Sequence, residues 1–278
     1  MNILRTIVAR RVCLKRFYTT DMQLIKTTRD NNTGIDVISL ANAPVNVWDV
    51  QMCNELKTSL LNARNNGSKG IILTSSLNVF SAGGDLKMGY DINKRKFIAE
   101  FWRSLQDAWL TLYSIEIPIA TAINGSSYGV GCLMAISTEY RVFVKGQHKI
   151  GITDTRVGLY VPKWFQHPFI SLTGYRQAEI ALLRSSTFKP EEALKIGLVN
   201  ELAVDKADAI EKCKNYILSY DDISTISRKV TKLDLRGKII QWLEENREAD
   251  IEKLVKYLML PEVQDNCKRH IESLKRKE

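Results

Sequence analysis

The stretch Val79-Phe-Ser-Ala-Gly-Gly-Asp-Leu86 decides the fold of this chain. A β-rich run, Gly70-Ile-Ile-Leu-Thr-Ser75, precedes it, and two adjacent glycines follow where that strand ends. Paired glycines at the end of a strand let the backbone approach a ligand closely and point its N–H groups outward. The stretch therefore predicts a strand followed by a ligand-binding turn.

A second turn of small residues follows a second strand. Pro118-Ile-Ala-Thr-Ala-Ile123 leads into Asn124-Gly-Ser-Ser-Tyr-Gly-Val-Gly-Cys132, which opens into a helical segment. Two N–H donors from two such turns can hold one developing oxyanion, as acyl-thioester chemistry requires. From Gly34 to Val204 the chain resembles the crotonase (enoyl-CoA hydratase/isomerase) superfamily, and within it the mitochondrial Δ3,Δ2-enoyl-CoA isomerases.

This resemblance implies an α/β fold, a crotonase-type spiral of repeated ββα units with a helical C-terminal segment that forms trimers. The expected divisions are a transit peptide over 1–20, the spiral core over 21–204 and the helical segment over 205–278. A homotrimer or a dimer of trimers is the expected assembly.

Hydrophobic periodicity predicts the individual elements. A hairpin pair flanks Asn31-Asn-Thr-Gly34, Asp49 caps a helix, and an apolar stripe from Phe97 to Leu112 marks another. From Tyr175 the pattern is mostly helical, and after Asp205 strand signals disappear. The predicted C-terminal helices are one capped by Asp205, a charged amphipathic one over Lys238–Tyr257 and one that begins at Pro261.

Composition excludes several classes of protein. The 278 residues are 45% apolar, which supports a sizeable core, and no apolar run approaches the length of a membrane span. The five cysteines are odd in number and scattered, so a reduced compartment is expected rather than a disulfide framework. The three histidines share no helical spacing, so we expect no metal site.

The N-terminal twenty residues have the composition of a mitochondrial transit peptide. Met1 to Thr20 contains five basic residues with apolar residues between them, and no acid precedes Asp21. Without those five charges the formal net charge of +9 falls to +4, so most of the basicity is a targeting signal. The mitochondrial matrix is the expected location, and a flexible basic tail is the alternative.

Double-bond migration in an acyl-CoA removes a proton from C2, passes through a dienolate and returns a proton at C4. Negative charge collects on the thioester oxygen, so two preorganised N–H donors should supply much of the rate. The resemblance assigns these donors to the backbone N–H groups of Gly84 and Val130, where related isomerases mostly carry glycine at the second position.

Asp154 is the predicted base. Its segment, Ile150-Gly-Ile-Thr-Asp-Thr-Arg-Val-Gly158, resembles the isomerase stretch in which a glutamate shuttles the proton. Aspartate does the same acid–base chemistry with one methylene less reach. An apolar surround of Ile152, Val157 and Leu159 would raise its pKa toward that of a useful base. A structural ion pair with Arg156 and a degenerate site are the alternatives.

The predicted reaction is isomerisation of 3-enoyl-CoA to 2-enoyl-CoA in fatty-acid β-oxidation. Hydratases of the superfamily carry a second glutamate just after the second glycine turn, and this chain has Leu133 there. One carboxylate can shuttle a proton between two carbons, whereas organising a water with one is harder. Enoyl-CoA hydratase is therefore the less favoured reaction.

Substrate contacts are expected from the first turn and from aromatic residues. In the turn they are Ala82, Gly83, Asp85, Leu86 and Lys87, where Lys87 is suited to a CoA phosphate. Phe80, Trp102, Trp109 and Trp164 are candidates for the acyl-tunnel wall, and Leu133 is a further expected substrate contact. The expected partner is an acyl-CoA thioester, and because CoA is part of the substrate no separate cofactor is expected.

Two readings from other classes remain open. Some crotonase-fold proteins bind RNA through a lysine-rich helix, and the C-terminal half here is rich in Lys and Arg. Those charges are interspersed with acids and lack a stacking platform of aromatic residues, so no nucleic acid is expected. A catalytically weak or dead relative is the other possibility, because Asp154 departs from the family's glutamate.

Overall fold

The computed structural model describes residues 23–85 and 95–275. Its strands are β1 (Ile25–Asp30), β2 (Ile35–Leu40), β3 (Val47–Trp48), β4 (Gly70–Ser75), β5 (Gly83–Gly84), β6 (Ile119–Ile123), β7 (Ser127–Tyr128), β8 (Tyr140–Val144), β9 (Ile150–Gly151) and β10 (Glu201–Ala203). Its α-helices are α1 (Val50–Asn65), α2 (Arg95–Ser114), α3 (Val130–Ile136), α4 (Lys163–Thr173), α5 (Tyr175–Leu183), α6 (Pro190–Lys195), α7 (Lys206–Leu218), α8 (Thr225–Leu258) and α9 (Pro261–Lys275).

The main sheet has the strand order β1-β2-β4-β6-β8-β10. The β1–β2 hairpin is antiparallel and every other neighbouring pair is parallel. Strands β4 and β6 are buried along their whole length because both faces of the sheet are covered. Helix α7 packs on one face, while α1 to α4 lie with the larger core on the other. The predicted α/β class with a helical C-terminal region is confirmed.

Both predicted aspartate caps are confirmed. The Asp49 carboxylate accepts a hydrogen bond from the Met52 N–H at 2.8 Å, and the Asp205 carboxylate accepts one from the Asp208 N–H at 2.9 Å. Each satisfies an N–H group that the first turn of a helix leaves without an intrahelical acceptor. No helix in residues 23–85 and 95–275 is long and apolar enough to cross a bilayer.

Two elements differ from the sequence prediction. Strand β10 lies in the region expected to be mostly helical, where it pairs in parallel with β8 at the edge of the sheet. Its three residues are too few for an alternating pattern to be visible. Helix α8 begins at Thr225, with the Ser224 hydroxyl as its cap, and not at Lys238.

The early start of α8 has a physical reason. The inward side chains of its first half are cations, which an apolar periodicity cannot detect. Arg228 donates to the Glu116 carbonyl, Lys232 to the Ile115 carbonyl and Arg236 to the Tyr113 carbonyl. These carbonyls lie at or just beyond the C-terminal end of α2, where positive charge is favourable because the last carbonyls of a helix lack partners.

Candidate active site

Two small parallel strand pairs bring the two glycine turns together. Strand β5 pairs with β3, and β7 pairs with β9. An isolated bridge joins Ser81 to Ser127, and the Tyr128 N–H donates to the Ser81 carbonyl at 3.0 Å. The turn after β4 and the turn after β6 are thus in direct backbone contact, as two donors to one oxyanion require.

The turns approach each other so closely that only glycine fits at their centre. Gly83 has a φ of +98°, and a Cβ added there would lie 3.0 Å from the Tyr128 carbonyl oxygen. At Gly131, a Cβ would lie 2.4 Å from the Ser81 Cβ. Side chains at either position would push the two turns apart. Gly83 of the first motif and Gly131 of the second are therefore required by the close backbone approach.

The predicted N–H donors, those of Gly84 and Val130, lie beside the contact between the two glycine turns. The Asp85 N–H donates to the Trp48 carbonyl at 3.3 Å, so the Gly84 N–H, one residue earlier, points to the other edge of β5. Val130 is the first residue of α3, a position whose N–H has no intrahelical acceptor. A Cβ added at Gly84 would lie 3.7 Å from the Val130 Cγ2, so the two residues are neighbours.

Asp154 lies at the same site because strand β9, which precedes it, is bonded to the second glycine turn. The Gly129 N–H donates to the Gly151 carbonyl at 3.1 Å, and three residues later Asp154 begins a short 3₁₀ helix, Asp154–Val157. A Cβ added at Gly129 would lie 3.7 Å from the Asp154 Oδ2. The carboxylate therefore lies against the second glycine turn, beside Val130.

The environment of Asp154 suits a base. Its Oδ2 is buried and has no hydrogen-bond partner within residues 23–85 and 95–275. Burial raises the pKa of the Asp154 carboxyl from 3.8 to about 7, and a bond from its own backbone N–H opposes that shift only in part. A pKa near the working pH is the value that acid–base catalysis favours.

Arg156 does not form the alternative ion pair. Its guanidinium donates to the Ser185 carbonyl at 3.1 Å, and its backbone N–H donates to the Ser185 hydroxyl at 2.7 Å. The salt bridges found among the described residues do not include Asp154. The raised pKa of Asp154 is consistent with the absence of a neighbouring cation, which would lower it.

A cavity of about 360 Å³ opens on these groups. The turns and the Asp154 segment form one side of it, and helices α2, α4, α8 and α9 form the other. Its lining residues are Ala82, Gly83, Gly84, Asp85, Ile98, Phe101, Trp102, Tyr128, Gly129, Val130, Thr153, Asp154, Val157, Leu159, Phe165, Leu254, Leu258, Cys267 and His270. A polar reactive wall thus faces a mostly apolar wall, which suits an acyl chain with one activated carbonyl.

Most of the predicted site residues meet at this cavity. Those that line it are Ala82, Gly83, Gly84, Asp85, Trp102, Val130 and Asp154. Leu86 and Lys87 lie outside the described residues, as does the predicted transit peptide over 1–20.

Leu133, Trp109 and Trp164 are not part of the cavity wall. All three are fully buried in the core. The Trp109 indole donates to the Ser137 hydroxyl at 2.8 Å, and the Trp164 indole donates to Asp250 at 3.1 Å. The Trp164 ring packs on Trp102 and Phe165, and the Trp109 ring packs on Trp164 and Tyr113. The predicted contact of these two rings and of Leu133 with substrate is therefore corrected to a supporting position behind the cavity wall.

The sequence did not predict most residues of the helical wall, which is the side of the cavity formed by α2, α4, α8 and α9. Phe101 lies in the apolar stripe that predicted α2, but nothing in the spacing indicates that its ring reaches a cavity. Leu254, Leu258, Cys267 and His270 lie on α8 and α9, more than a hundred residues from the glycine motifs. Only long-range contacts place them at the cavity, so no local pattern in the sequence could identify them.

Comparison with known proteins assigns the class. A model of the enoyl-CoA hydratase/isomerase family matches residues 30–277, and the chain belongs to that family of enzymes. Mitochondrial enoyl-CoA delta isomerase 1 of Mus musculus is 34% identical over 247 residues, which cover 88% of this chain and 85% of the relative. The Homo sapiens counterpart is 30% identical over 256 residues, or 91% of this chain and 84% of the relative.

Solved structures agree with this class. The crystal structure of human mitochondrial delta3-delta2-enoyl-CoA isomerase superimposes with a TM-score of 0.88 at 30% identity, covering 92% of this chain and 100% of that one. An enoyl-CoA hydratase from Bacillus halodurans superimposes with a TM-score of 0.79 at 24% identity, covering 89% and 100%. The second likeness shows the shared fold alone.

Proposed function

We propose that this chain is a Δ3,Δ2-enoyl-CoA isomerase of fatty-acid β-oxidation with Asp154 as its single proton shuttle. The observation that carries the proposal is the buried, unpartnered Oδ2 of Asp154 at the cavity formed by the two glycine turns. Asp85 is the second carboxylate at this cavity. Of these two carboxylates, Asp154 is the one with a buried side-chain oxygen that has no hydrogen-bond partner in the described parts of the chain.

The reaction follows from these groups. The Asp154 carboxylate removes a proton from C2, and the electron pair moves onto the thioester oxygen to give a dienolate. The N–H groups of Gly84 and Val130 stabilise that oxygen, where the charge is larger in the transition state than in the substrate. The Asp154 carboxyl then returns the proton to C4, so the product is an isomer and no separate cofactor takes part.

The position of Leu133 favours isomerisation over hydration. Leu133 is fully buried and does not line the cavity, so it supplies no second carboxylate to hold a water. One general acid–base group is typically worth about 10²- to 10⁴-fold in rate, and its loss should leave only a trace of hydratase activity.

The decisive experiment supplies the purified protein with a 3-enoyl-CoA and a 2-enoyl-CoA in parallel. We expect kcat/KM for isomerisation to exceed that for hydration by about 100-fold or more. Equal or faster hydration would make the chain a hydratase. If neither substrate reacts while acyl-CoA binding is retained, the chain is a non-catalytic relative.

The basic residues behind the RNA-binding alternative are partly engaged in the fold. Lys229 pairs with Glu116, Lys232 pairs with Glu139, and Arg236 is bonded to the Tyr113 carbonyl. Lys232 and Arg236, which are held inside the fold, are not available to neutralise a phosphate backbone, and Lys229 already has an acidic partner. We therefore propose that the chain does not bind nucleic acid, and a titration with single-stranded RNA at physiological salt should show no binding.

We further propose a mitochondrial matrix location and a trimeric assembly. The mitochondrial names of the mouse and human relatives and the basic, acid-free residues 1–20 support the first. Exposed apolar side chains at Ile226, Val230 and Leu235 of α8 support the second. A fluorescent fusion with and without residues 1–20 tests the location. Sedimentation tests the assembly, and a monomer at micromolar concentration would contradict it.

A further inference from the structure

A second carboxylate, Asp250 of α8, lies buried on the helical side of the cavity. Its Oδ2 accepts three side-chain hydrogen bonds, from the Trp102 indole at 2.7 Å, the Gln106 amide at 3.0 Å and the Trp164 indole at 3.1 Å. Trp102 and Gln106 belong to α2 and Trp164 belongs to α4. One oxygen atom thus ties three helices together.

These bonds restrict geometry more strongly than apolar packing does. A hydrogen bond to a carboxylate is about twice as strong as one between neutral groups, and it weakens steeply when its angle departs from linearity. Three donors that converge on one oxygen therefore define the positions of both indole rings. A merely apolar contact at Asp250 would let the rings slide, because dispersion has little directionality.

Three members of this network, Trp102, Trp164 and Asp250, belong to the cavity wall or are close in sequence to a residue of it. Trp102 itself lines the cavity, and its ring stacks on Phe165 with centroids 5.7 Å apart. Phe165 follows Trp164 in the chain and also lines the cavity. Leu254 follows Asp250 by four residues and so lies on the same face of α8, where it forms part of the same wall.

We infer that Asp250 is a positioning residue that sets the spacing of the apolar cavity walls and thereby the length of acyl chain that the enzyme accepts. This inference rests on the proposed function, because the apolar wall is taken to hold the acyl chain of an enoyl-CoA. Asp250 acts through Trp102, Phe165 and Leu254 and does not itself touch substrate.

The test compares kcat and KM of wild type, Asp250→Leu and Asp250→Asn on short-, medium- and long-chain 3-enoyl-CoA. One methylene in an apolar pocket is worth roughly 10-fold or more in specificity. We therefore expect Asp250→Leu to change the ratio of kcat/KM between long and short chains by about tenfold, mainly through KM. Asp250→Asn keeps an acceptor oxygen and should restore the wild-type ratio.

Gln106→Leu covers the case in which Asp250→Leu fails to fold. Gln106 donates to Asp250 but does not line the cavity, and its own Oε1 is buried without a partner among the described residues. Its replacement removes one of the three bonds together with an unsatisfied oxygen, so the fold should tolerate it. We expect a smaller change of the chain-length ratio in the same direction.

Ser137→Ala is the matched control. It removes the acceptor of another buried indole, that of Trp109, which lies off the cavity. It should lower thermal stability and leave the chain-length ratio unchanged. The inference is overturned if wild type is active and Asp250→Leu or Gln106→Leu keeps the wild-type ratio, or if Ser137→Ala shifts it equally. A wild type inactive on every chain length would instead overturn the proposed function.

Discussion

The two walls of the cavity each hold a buried carboxylate, and the two carboxylates differ in their hydrogen bonds. On the wall of glycine turns, Asp154 keeps one oxygen without a hydrogen-bond partner in the described residues. On the helical wall, one oxygen of Asp250 accepts three N–H groups. The comparison teaches that the carboxylate proposed to react has an oxygen without hydrogen bonds, whereas the carboxylate proposed to position the wall has an oxygen that accepts three.

The same contrast extends to how each wall is built. The turn wall presents backbone N–H groups at Gly84 and Val130, whose positions depend on glycine neighbours and not on side-chain identity. The helical wall presents side chains from four helices, and their positions depend on packing. Substitutions on the two walls should therefore change different kinetic parameters, kcat on the turn wall and KM on the helical wall.

The largest expected effect comes from Asp154→Ala. Loss of the proposed proton shuttle should lower kcat for isomerisation by about 10²- to 10⁴-fold, while the KM for 3-enoyl-CoA changes little. Steady-state formation of 2-enoyl-CoA measures both. Asp154→Glu, which restores the reach of the family's glutamate, is the control and should retain activity.

Near-normal turnover by Asp154→Ala would transfer the role of base to another acid. Asp85 would be the next candidate because it lines the same cavity. Glu139, another acid of the spiral core, is instead engaged by Arg228 and Lys232.

Two glycine variants, Gly83→Ala and Gly84→Ala, distinguish an effect on the geometry of the N–H donors from an effect on the shape of the cavity. Gly83→Ala should lower kcat by roughly 10²- to 10³-fold, the range for losing one oxyanion donor, because its φ of +98° and the 3.0 Å approach to the Tyr128 carbonyl force the turns apart. At Gly84 a Cβ meets Val130 and Phe101 only at ordinary contact distances of 3.7 and 3.9 Å. Gly84→Ala should therefore be milder, and equal losses would contradict this account.

The pH dependence of kcat/KM should report the Asp154 carboxyl. Burial raises its pKa to about 7, and only the deprotonated form can accept the C2 proton. The rate should therefore rise about tenfold per pH unit below 7 and level off above it. His270 lines the same cavity, so His270→Gln is the control that separates the contribution of this imidazole from that of Asp154. A profile already flat at pH 5 would show that Asp154 is not desolvated.

The smallest expected effect is on stability. Because the pKa of Asp154 is raised from 3.8 to about 7 on folding, the folded state binds more protons within that window. The free energy of unfolding contributed by this group therefore falls as pH rises through the window. Asp154→Asn should stabilise the protein by on the order of 1 kcal/mol above pH 7, because it removes a buried charge that is kept for function.

Chemical denaturation at two pH values tests this stability prediction. The gain from Asp154→Asn should shrink below the unfolded pKa of 3.8, where the wild-type carboxyl is protonated in both states. A gain of equal size at both pH values would point to packing and not to charge burial. Asp154→Asn should thus lose activity and gain stability. This would sharpen the contrast with Asp250→Leu, which should change the chain-length ratio mainly through KM.

The amino-acid sequence by itself determined the reactive wall. The two glycine turns and Asp154 each lie within a few consecutive residues, so their motifs and the resemblance to the crotonase superfamily identify them from the sequence, although the contact between the two turns is long-range. The caps at Asp49 and Asp205 are predictable for the same reason, since a carboxylate can reach the N–H three residues ahead without help from the rest of the chain.

Only the tertiary structure decided the helical wall. Trp102 and Trp109 lie on one apolar stripe of α2, yet only Trp102 reaches the cavity, because the packing of α4 and α8 determines which ring is covered. The first half of α8 escaped prediction because its inward face carries cations bonded to carbonyls near the end of α2, more than a hundred residues earlier. Periodicity records which face of an element is apolar, but the neighbour that covers that face is a long-range property of the folded chain.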